Sequence, residues 1–470
     1  MHPMAGQDAT FLYLETPTTH MHVVGVLVLE PGDGKGPFGV ATITKALDER
    51  LHLIPPLRRR IVTPPGAFEH PVWIEDPDFD LTDHVRPAPL TGPVTWSELE
   101  QYVGEVSSHP LRRDRPLWEM WVVEGVEGGR VALVTKLHHA MMDGGAGGDL
   151  MASLFDLEPD AAPPPPPDVP WVPDTVPGAA GLAVRSVGSL SNRLVREAPG
   201  ALIHSTGHLA GAAKTWAANR SSSTATRITA PRTAVNGPLT ARRSVSLTAV
   251  DLDHVRQIRR AFGTTINDVV LAATATALRG YLAARGALPD EPLVAAAPVN
   301  VRLEAPTDGE LGNRVSNMMV GLPLQPDDPV ERLTAVHETA LASKELQAAF
   351  GPDTLQEITG FAPPPVMMAM ARTYSRLHLG RLHRPVFNLI VSNVPGPPID
   401  LYCAGARVTG IFPMGPLMEG SGVNVTVLSE AHHLNVGIMA CPDVVPDVDE
   451  LGGRFVEAVA ELHRLAQASE

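Results

Sequence analysis

Lys136-Leu137-His138-His139-Ala140-Met141-Met142-Asp143-Gly144 joins the end of an apolar strand to a glycine-rich turn. Val131 to Leu137 reads as that strand, and Leu117 to Val126 as its partner, because Glu127-Gly128-Gly129 between them is a turn signal. The hairpin ends at the histidine pair. An imidazole is the side chain best suited to take a proton from a hydroxyl near neutral pH. Three readings of His138, His139 and Asp143 stand side by side. In the first, the histidines are core or turn residues and Asp143 caps the helix expected over Gly147 to Phe155. In the second they bind a metal, but adjacent strand residues point to opposite faces and do not readily share one ion. In the third, an imidazole is a general base and Asp143 holds the loop. Gly144-Gly145-Ala146-Gly147-Gly148 favours the third, since a loop without side chains lets a substrate approach closely. His432-His433 is a useful control: no aspartate or glycine follows it, and it reads as solvated surface at a hairpin.

Outward from this motif the chain alternates strands and helices. His22 to Leu29 (HVVGVLVL) ends at Pro31-Gly32 as a buried strand should, and Ala41 to Leu51 and Trp96 to Ser107 read as helices. Pro163 to Pro167 can be neither helix nor inner strand and reads as an extended spacer. A weakly helical region over Val184 to Ala218 leads to the polar Asn219 to Thr226. Beyond it, Arg243 to Leu247 is strand-like and Asp251 to Phe262 helical. Thr265 to Ala284 is helical, with Thr265 and Asp268 at capping-box spacing. Leu293 to Val301, Ser316 to Leu322, Phe387 to Ser392, Val423 to Leu428 and Leu434 to Ala440 read as strands, and Asp447 to Leu465 as an amphipathic helix. The expected organisation is an N-terminal domain over 1–180, a crossover over 181–240 and a C-terminal domain over 241–470. The content is α/β without a βαβ repeat, so mixed sheets of α+β character are expected.

A chain of 470 residues is long enough for two cores. With 44% apolar and 19% charged residues it is globular, and its formal charge of −15 argues against a nucleic-acid partner. Cys403 and Cys441 form no metal or redox spacing and suit a reducing cytoplasm. Met1-His2-Pro3-Met4 runs into polar sequence without a secretory pattern, and no apolar run approaches a bilayer span. The expectation is a cytoplasmic protein, with any membrane contact peripheral.

HHxxxDG, as His138 to Gly144, resembles the active-site signature of the CoA-dependent acyltransferase superfamily, which includes chloramphenicol acetyltransferase and peptide condensation domains. Further segments resemble the bacterial wax ester synthase/acyl-CoA:diacylglycerol acyltransferase family more narrowly. These are Gln7 to Glu15, Met21-His22-Val23, Pro71-Val72-Trp73, Asp76 to Leu81 and Arg115-Pro116-Leu117-Trp118-Glu119. Asn267 to Ala272, Pro298 to Arg302, Gly312 to Ser316 and Ser392 to Pro397 continue the match almost to the end of the chain. Two departures stand out: Arg112 replaces an aspartate expected after Leu111, and His20 replaces a usual proline.

The resemblance implies two chloramphenicol-acetyltransferase-like domains with the active site in a tunnel between them. It implies acyl transfer from a fatty acyl-CoA to an alcohol, either diacylglycerol or a long-chain alcohol, at a membrane or lipid-droplet surface. His139 would be the general base, His138 its support, Asp143 a loop anchor with Arg58 as partner, and Gly144 part of the presenting loop. Asn267 is a candidate oxyanion donor, its other reading being a polar residue in a first helical turn. Arg302, Arg314 and the pair Arg242-Arg243 are candidates for attracting the phosphates of CoA. No metal and no bound cofactor is expected, acyl-CoA being a co-substrate. Three alternatives stay open: another hydroxyl acceptor such as a polyketide or glycolipid, an inactive lipid-binding relative, and a metal-dependent hydrolase.

Overall fold

The computed structural model describes residues 1–32, 37–65, 69–141, 153–178, 181–182, 230–301, 314–350 and 364–469. The first half carries β1 (His2–Pro3), α1 (Gly6–Leu14), β2 (His22–Glu30), α2 (Val40–Asp48), β3 (Arg59–Val62) and β4 (Val72–Glu75). Then come β5 (Val85–Pro87), α3 (Trp96–Ser107), β6 (Trp118–Val126) and β7 (Arg130–His138). The second half opens with β8 (Ser244–Asp251), α4 (Leu252–Ala261), α5 (Ile266–Ala284), β9 (Leu293–Val301), β10 (Arg314–Leu322) and α6 (Pro329–Phe350). It closes with α7 (Pro364–Arg376), β11 (Leu389–Pro395), β12 (Tyr402–Cys403), β13 (Ala406–Met414), β14 (Val423–Ser429), β15 (His433–Ala440) and α8 (Val448–Ser469).

The strands form two six-stranded sheets, ordered β12-β13-β2-β7-β6-β5 and β10-β9-β11-β14-β15-β8, and a small sheet, β1-β4-β3. Most neighbours are antiparallel, but β5 with β6 and β11 with both β9 and β14 are parallel, so both large sheets are mixed as expected. The β6–β7 hairpin forms around Glu127-Gly128-Gly129, where Gly128 and Gly129 take positive φ of 79° and 75°. Thr95 and Glu98 start α3 with a capping box, and Thr265 and Asp268 start α5 in the same way. Pro163 to Pro167 has no regular structure. The helical region over 184–218 and the polar stretch over 219–226 lie outside the described residues, as does most of the helix expected over 147–155.

Apolar alternation places Val24, Val26 and Val28 of β2 with Ala132 and Val134 of β7 against α3 on one face of the first sheet. Leu29, Val131 and Leu133 face α1 and α2 on the other. The second core gathers α5 and α8 on β8, β9, β11, β14 and β15, around the fully buried Tyr281 and Phe455.

β13 returns from the second half of the sequence to pair with β2, from Met414 opposite Val24 to Arg407 opposite Glu30. It thereby ties the two halves together, and it crosses β15 so closely that only glycine fits there. A Cβ on Gly437 would lie 2.2 Å from the Pro413 carbonyl oxygen. Gly437→Ala is therefore expected to lower the stability by about 2–3 kcal/mol through overpacking. Gly453→Ala is the control, since a Cβ there meets nothing within 4 Å. Thermal denaturation of both variants checks this, and equal melting temperatures would show that the crossing yields easily.

Candidate active site

β7 ends at His138, which lies opposite His22 in the register with β2. Two residues earlier on the same face, Lys136 is buried and donates to the carbonyls of Val106 and His109, 3.1 Å each, and pairs with Glu119 at 3.1 Å. This fastens the strand to the end of α3. His22 Nε2 donates to the Ser107 carbonyl at 3.0 Å, and burial holds the ring well below its ordinary pKa. His20, at the position of the expected proline, stacks on His22 with ring centroids 5.4 Å apart, and burial takes it down to about 4. Both rings are therefore neutral wall residues at neutral pH.

Beyond His138 the chain leaves the strand for a 3-10 turn over His139–Met141. The His139 N–H donates to the Met21 carbonyl at 2.8 Å, and Met21, itself buried, holds left-handed backbone with φ 51°. Such a conformation costs a side-chain-bearing residue about 1–2 kcal/mol, so the surrounding packing must hold it. The turn changes what strand alternation leads one to expect. His138 was expected to point away from His139, yet both rings meet α1, one helical turn apart. Phe11 stacks on His139 with ring centroids 3.9 Å apart and planes inclined by 19°. Glu15, four residues on, accepts from His138 Nε2 at 3.1 Å.

The hydrogen bonds settle the tautomer of His138. Its Nδ1 accepts from the Ala140 N–H at 3.1 Å, so the proton sits on Nε2 and points to Glu15. Glu15 also pairs with Arg113. Burial pushes the Glu15 carboxyl upward, but the His138 hydrogen bond and the Arg113 charge outweigh it and hold the group below its ordinary value. Burial likewise lowers His138. Neither Phe11 nor Glu15 was singled out from the sequence. Of the two departures from the family pattern, Arg112 lies exposed and pairs with Asp114, while its neighbour Arg113 reaches Glu15.

His139 is held differently. Burial lowers its pKa to about 4, against a weaker upward pull from its own carbonyl oxygen. Its Nδ1 has no partner of good geometry among the described residues. The result is a neutral imidazole, stacked on Phe11, whose Nδ1 is bound by no group among the described residues.

The other candidates are more dispersed. Asp143 and Gly144 lie outside the described residues. Arg58 stands 4.9 Å over the Trp171 ring, and its Nε has no partner among the described residues. Asn267 is the second residue of α5, half-buried, and its side chain makes no hydrogen bond among the described residues. Its neighbour Asp268 closes the capping box and accepts from His337 at 2.7 Å. Arg242 is exposed and pairs with Asp443 at 3.2 Å. Arg243 is buried, and the carbonyls of Thr18, Thr240 and Arg242 occupy its guanidinium, which makes it a tie between β8 and the turn before β2. Arg314 opens β10; its side chain and the whole of Arg302 lie outside the described residues. His432 and His433 are exposed, as the control reading expected. No group of three His, Cys, Asp or Glu side chains able to hold a metal occurs among the described residues.

Two family models match the chain in order. The wax ester synthase/diacylglycerol acyltransferase catalytic domain matches residues 4–270, and the WS/DGAT C-terminal domain matches residues 311–463. A Mycobacterium tuberculosis protein with the provisional name diacylglycerol O-acyltransferase is 36% identical over 469 residues, covering 98% of this chain and 90% of its own. A second such protein from the same organism is 36% identical over 470 residues, covering 100% and 97%. Among solved structures, the wax ester synthase/diacylglycerol acyltransferase from Marinobacter aquaeolei superposes with a TM-score of 0.71 at 26% identity, covering 99% of this chain and 100% of that one. The starter condensation domain of rhizomide synthetase, solved in complex with C8-CoA and Leu-SNAC, shares the fold with a TM-score of 0.53 at 13% identity, covering 99% and 94%. Mixed sheets stitched by β13, a strand-end histidine pair and sequence identity sustained along the whole chain lead to one conclusion: this protein belongs to the wax ester synthase/diacylglycerol acyltransferase family.

Proposed function

We propose that the protein moves a long-chain fatty acyl group from acyl-CoA to the hydroxyl of diacylglycerol, giving triacylglycerol, and to long-chain alcohols, giving wax esters. Membership of the family makes it an acyl-CoA-dependent O-acyltransferase. The observation that carries the chemistry is the neutral, stacked imidazole of His139 at the end of β7. In the proposed step this imidazole takes the proton of the acceptor hydroxyl as the oxygen attacks the thioester carbonyl. The new C–O bond forms, the C–S bond breaks, and the imidazolium returns its proton to the departing thiolate of CoA. No acyl-enzyme is required, and Cys403 is unsuited to one because burial pushes its thiol up to about 12.

His138 positions the turn that carries the base, and Asp143 and Gly144 are assigned to the loop beyond it. Asn267 is the proposed donor to the carbonyl oxygen as charge develops there. Arg242, Arg302 and Arg314 are the proposed sources of attraction for the phosphates. The acceptor is drawn from a membrane or lipid-droplet surface on the cytoplasmic side. No single described helix is long and apolar enough to cross a bilayer, and the proposed association is peripheral.

The test is a purified-protein assay with labelled palmitoyl-CoA, offering dioleoylglycerol and hexadecanol separately and resolving the products. Labelled triacylglycerol is the expected product, with wax ester as a second. Acyl transfer to neither acceptor would remove the substrate assignment while leaving the family intact.

A further inference from the structure

α7 presents two unlike faces. Pro364 and Ser375 are buried, and Met367 and Met368 pack against the core cluster that includes α1. Ser375 Oγ meets Thr18 Oγ1 at 2.8 Å, which ties the same helix to the turn before β2. Opposite this packed face, Val366, Met370 and Leu377 stand at i, i+4 and i+11, one stripe of a helical surface. All three face solvent, Met370 at 64% and Leu377 at 61% exposure, and the Thr373 carbonyl accepts from the Leu377 N–H at 3.0 Å, so the helical geometry reaches that residue. Beyond α7, Leu382, the most exposed large apolar side chain described at 80%, and Val386 also face solvent. A contiguous apolar stripe opposite a packed face calls for a partner, unlike scattered single residues.

The charge around the stripe points to the chemistry of that partner. Between Glu357 and Asp400 the sequence has no acidic residue, yet it carries Arg372, Arg376, Arg381 and Arg384, within a chain of net charge −15. Arg384 pairs with Glu291, whereas Arg372, Arg376 and Arg381 are exposed and hold no carboxylate among the described residues. At the foot of the stripe a cavity of about 440 Å³ is lined by Arg232, His378, Arg381 and His383, with Glu419 as its one carboxylate. An exposed apolar stripe on a segment that carries three arginines unpaired among the described residues and no acidic residue of its own matches an interface of acyl chains and anionic headgroups.

We propose that the outer face of α7 and the segment through Val386 is the surface by which this protein docks on an anionic phospholipid bilayer. The stripe enters the acyl boundary, and the arginines meet headgroup phosphates. Because the inner face of α7 packs on α1, the helix whose Phe11 stacks on His139, docking here sets the bilayer one helix away from the proposed base. The inference deepens the proposed use of a lipid acceptor. Its deciding measurement is vesicle binding, read separately from turnover, so either proposal can fail alone.

The experiment is co-sedimentation of the full chain with vesicles of phosphatidylglycerol and phosphatidylcholine, beside vesicles of phosphatidylcholine alone, at low and high salt. Binding is expected to the anionic vesicles and to weaken with salt. Met370→Glu/Leu377→Glu is expected to reduce it by about tenfold or more, with unchanged melting. Leu382→Glu changes a side chain with almost no packing to lose and should act in the same direction. Transfer to a water-soluble short-chain alcohol should be unaffected in all of them, while transfer to diacylglycerol in vesicles should fall. Equal binding to neutral and anionic vesicles, or unaltered binding by the two variants, would overturn the proposal. So would a wild-type dimer that the double variant dissociates, since a second copy would then be what covers the stripe.

Discussion

His139→Ala is expected to lower kcat/KM for acyl transfer by about 10²–10⁴-fold, the range that a positioned general base contributes. The fold should survive, because His139 Nδ1 has no partner among the described residues and the turn is hung from the His139 backbone N–H on Met21. The pH profile separates this mechanism from a structural role. The base acts only when unprotonated, and burial sets its pKa at about 4. Thus kcat/KM should be flat down to about pH 5 and fall only as the pH approaches 4. A histidine at the ordinary 6.5 would already lose about tenfold per unit below that value. Variant turnover near the wild-type rate would end the assignment of His139. An acid limb near 6.5 would mean that the imidazole meets solvent more than the packing with Phe11 allows.

The histidine pair was legible because its signals are local: an apolar strand, a glycine turn before it, and two imidazoles at the strand end. The same holds for α3 and α5, whose capping boxes are written within four residues. β13 was not legible, although it joins the halves. Gly410 and Pro413 within Ala406–Met414 read as breaks rather than strand. Pro413 is tolerated because β12 covers only Ala406 and Arg407 of β13, which leaves the edge beside the proline without a strand to bond. Phe11 and Glu15 were missed for another reason. Phe11 lies on α1 and Glu15, four residues on, caps its C-terminal end, but nothing in the sequence says that β7 will end against them. α6 and α7 were passed over as well. Asp328 accepts from the backbone of Val330 and Glu331 at 2.8 and 2.9 Å, a cap that was readable at Asp328-Pro329. α7 lacks one apolar face because it has two, and a single-stripe pattern cannot describe it. The phosphate candidates were chosen by charge alone, and charge does not distinguish Arg243, tied to backbone carbonyls, from an arginine available to a ligand.

Glu15→Ala should reduce kcat by about ten- to a hundredfold while changing KM little. The carboxylate is the acceptor that keeps the His138 proton on Nε2, and that tautomer is what lets Nδ1 accept from the Ala140 N–H. Without Glu15, His138 Nε2–H is a buried donor with no partner, at a cost of about 1–3 kcal/mol. Moving the proton to Nδ1 offers no escape, because Nδ1–H would then face the Ala140 N–H donor to donor. Either way the turn over His139–Met141 loosens and the base loses its aim, an effect on the chemical step rather than on ground-state binding. Glu15→Gln discriminates between geometry and charge. Its amide oxygen still accepts from Nε2–H, so most of kcat should return, even though the ion pair with Arg113 is gone. Arg113→Met tests the other side: it keeps the Glu15–His138 bond and should cost kcat less than Glu15→Ala does. A Glu15→Ala protein with a lowered melting temperature but wild-type kcat would show that the relay from α1 through His138 stabilises the fold without positioning the base.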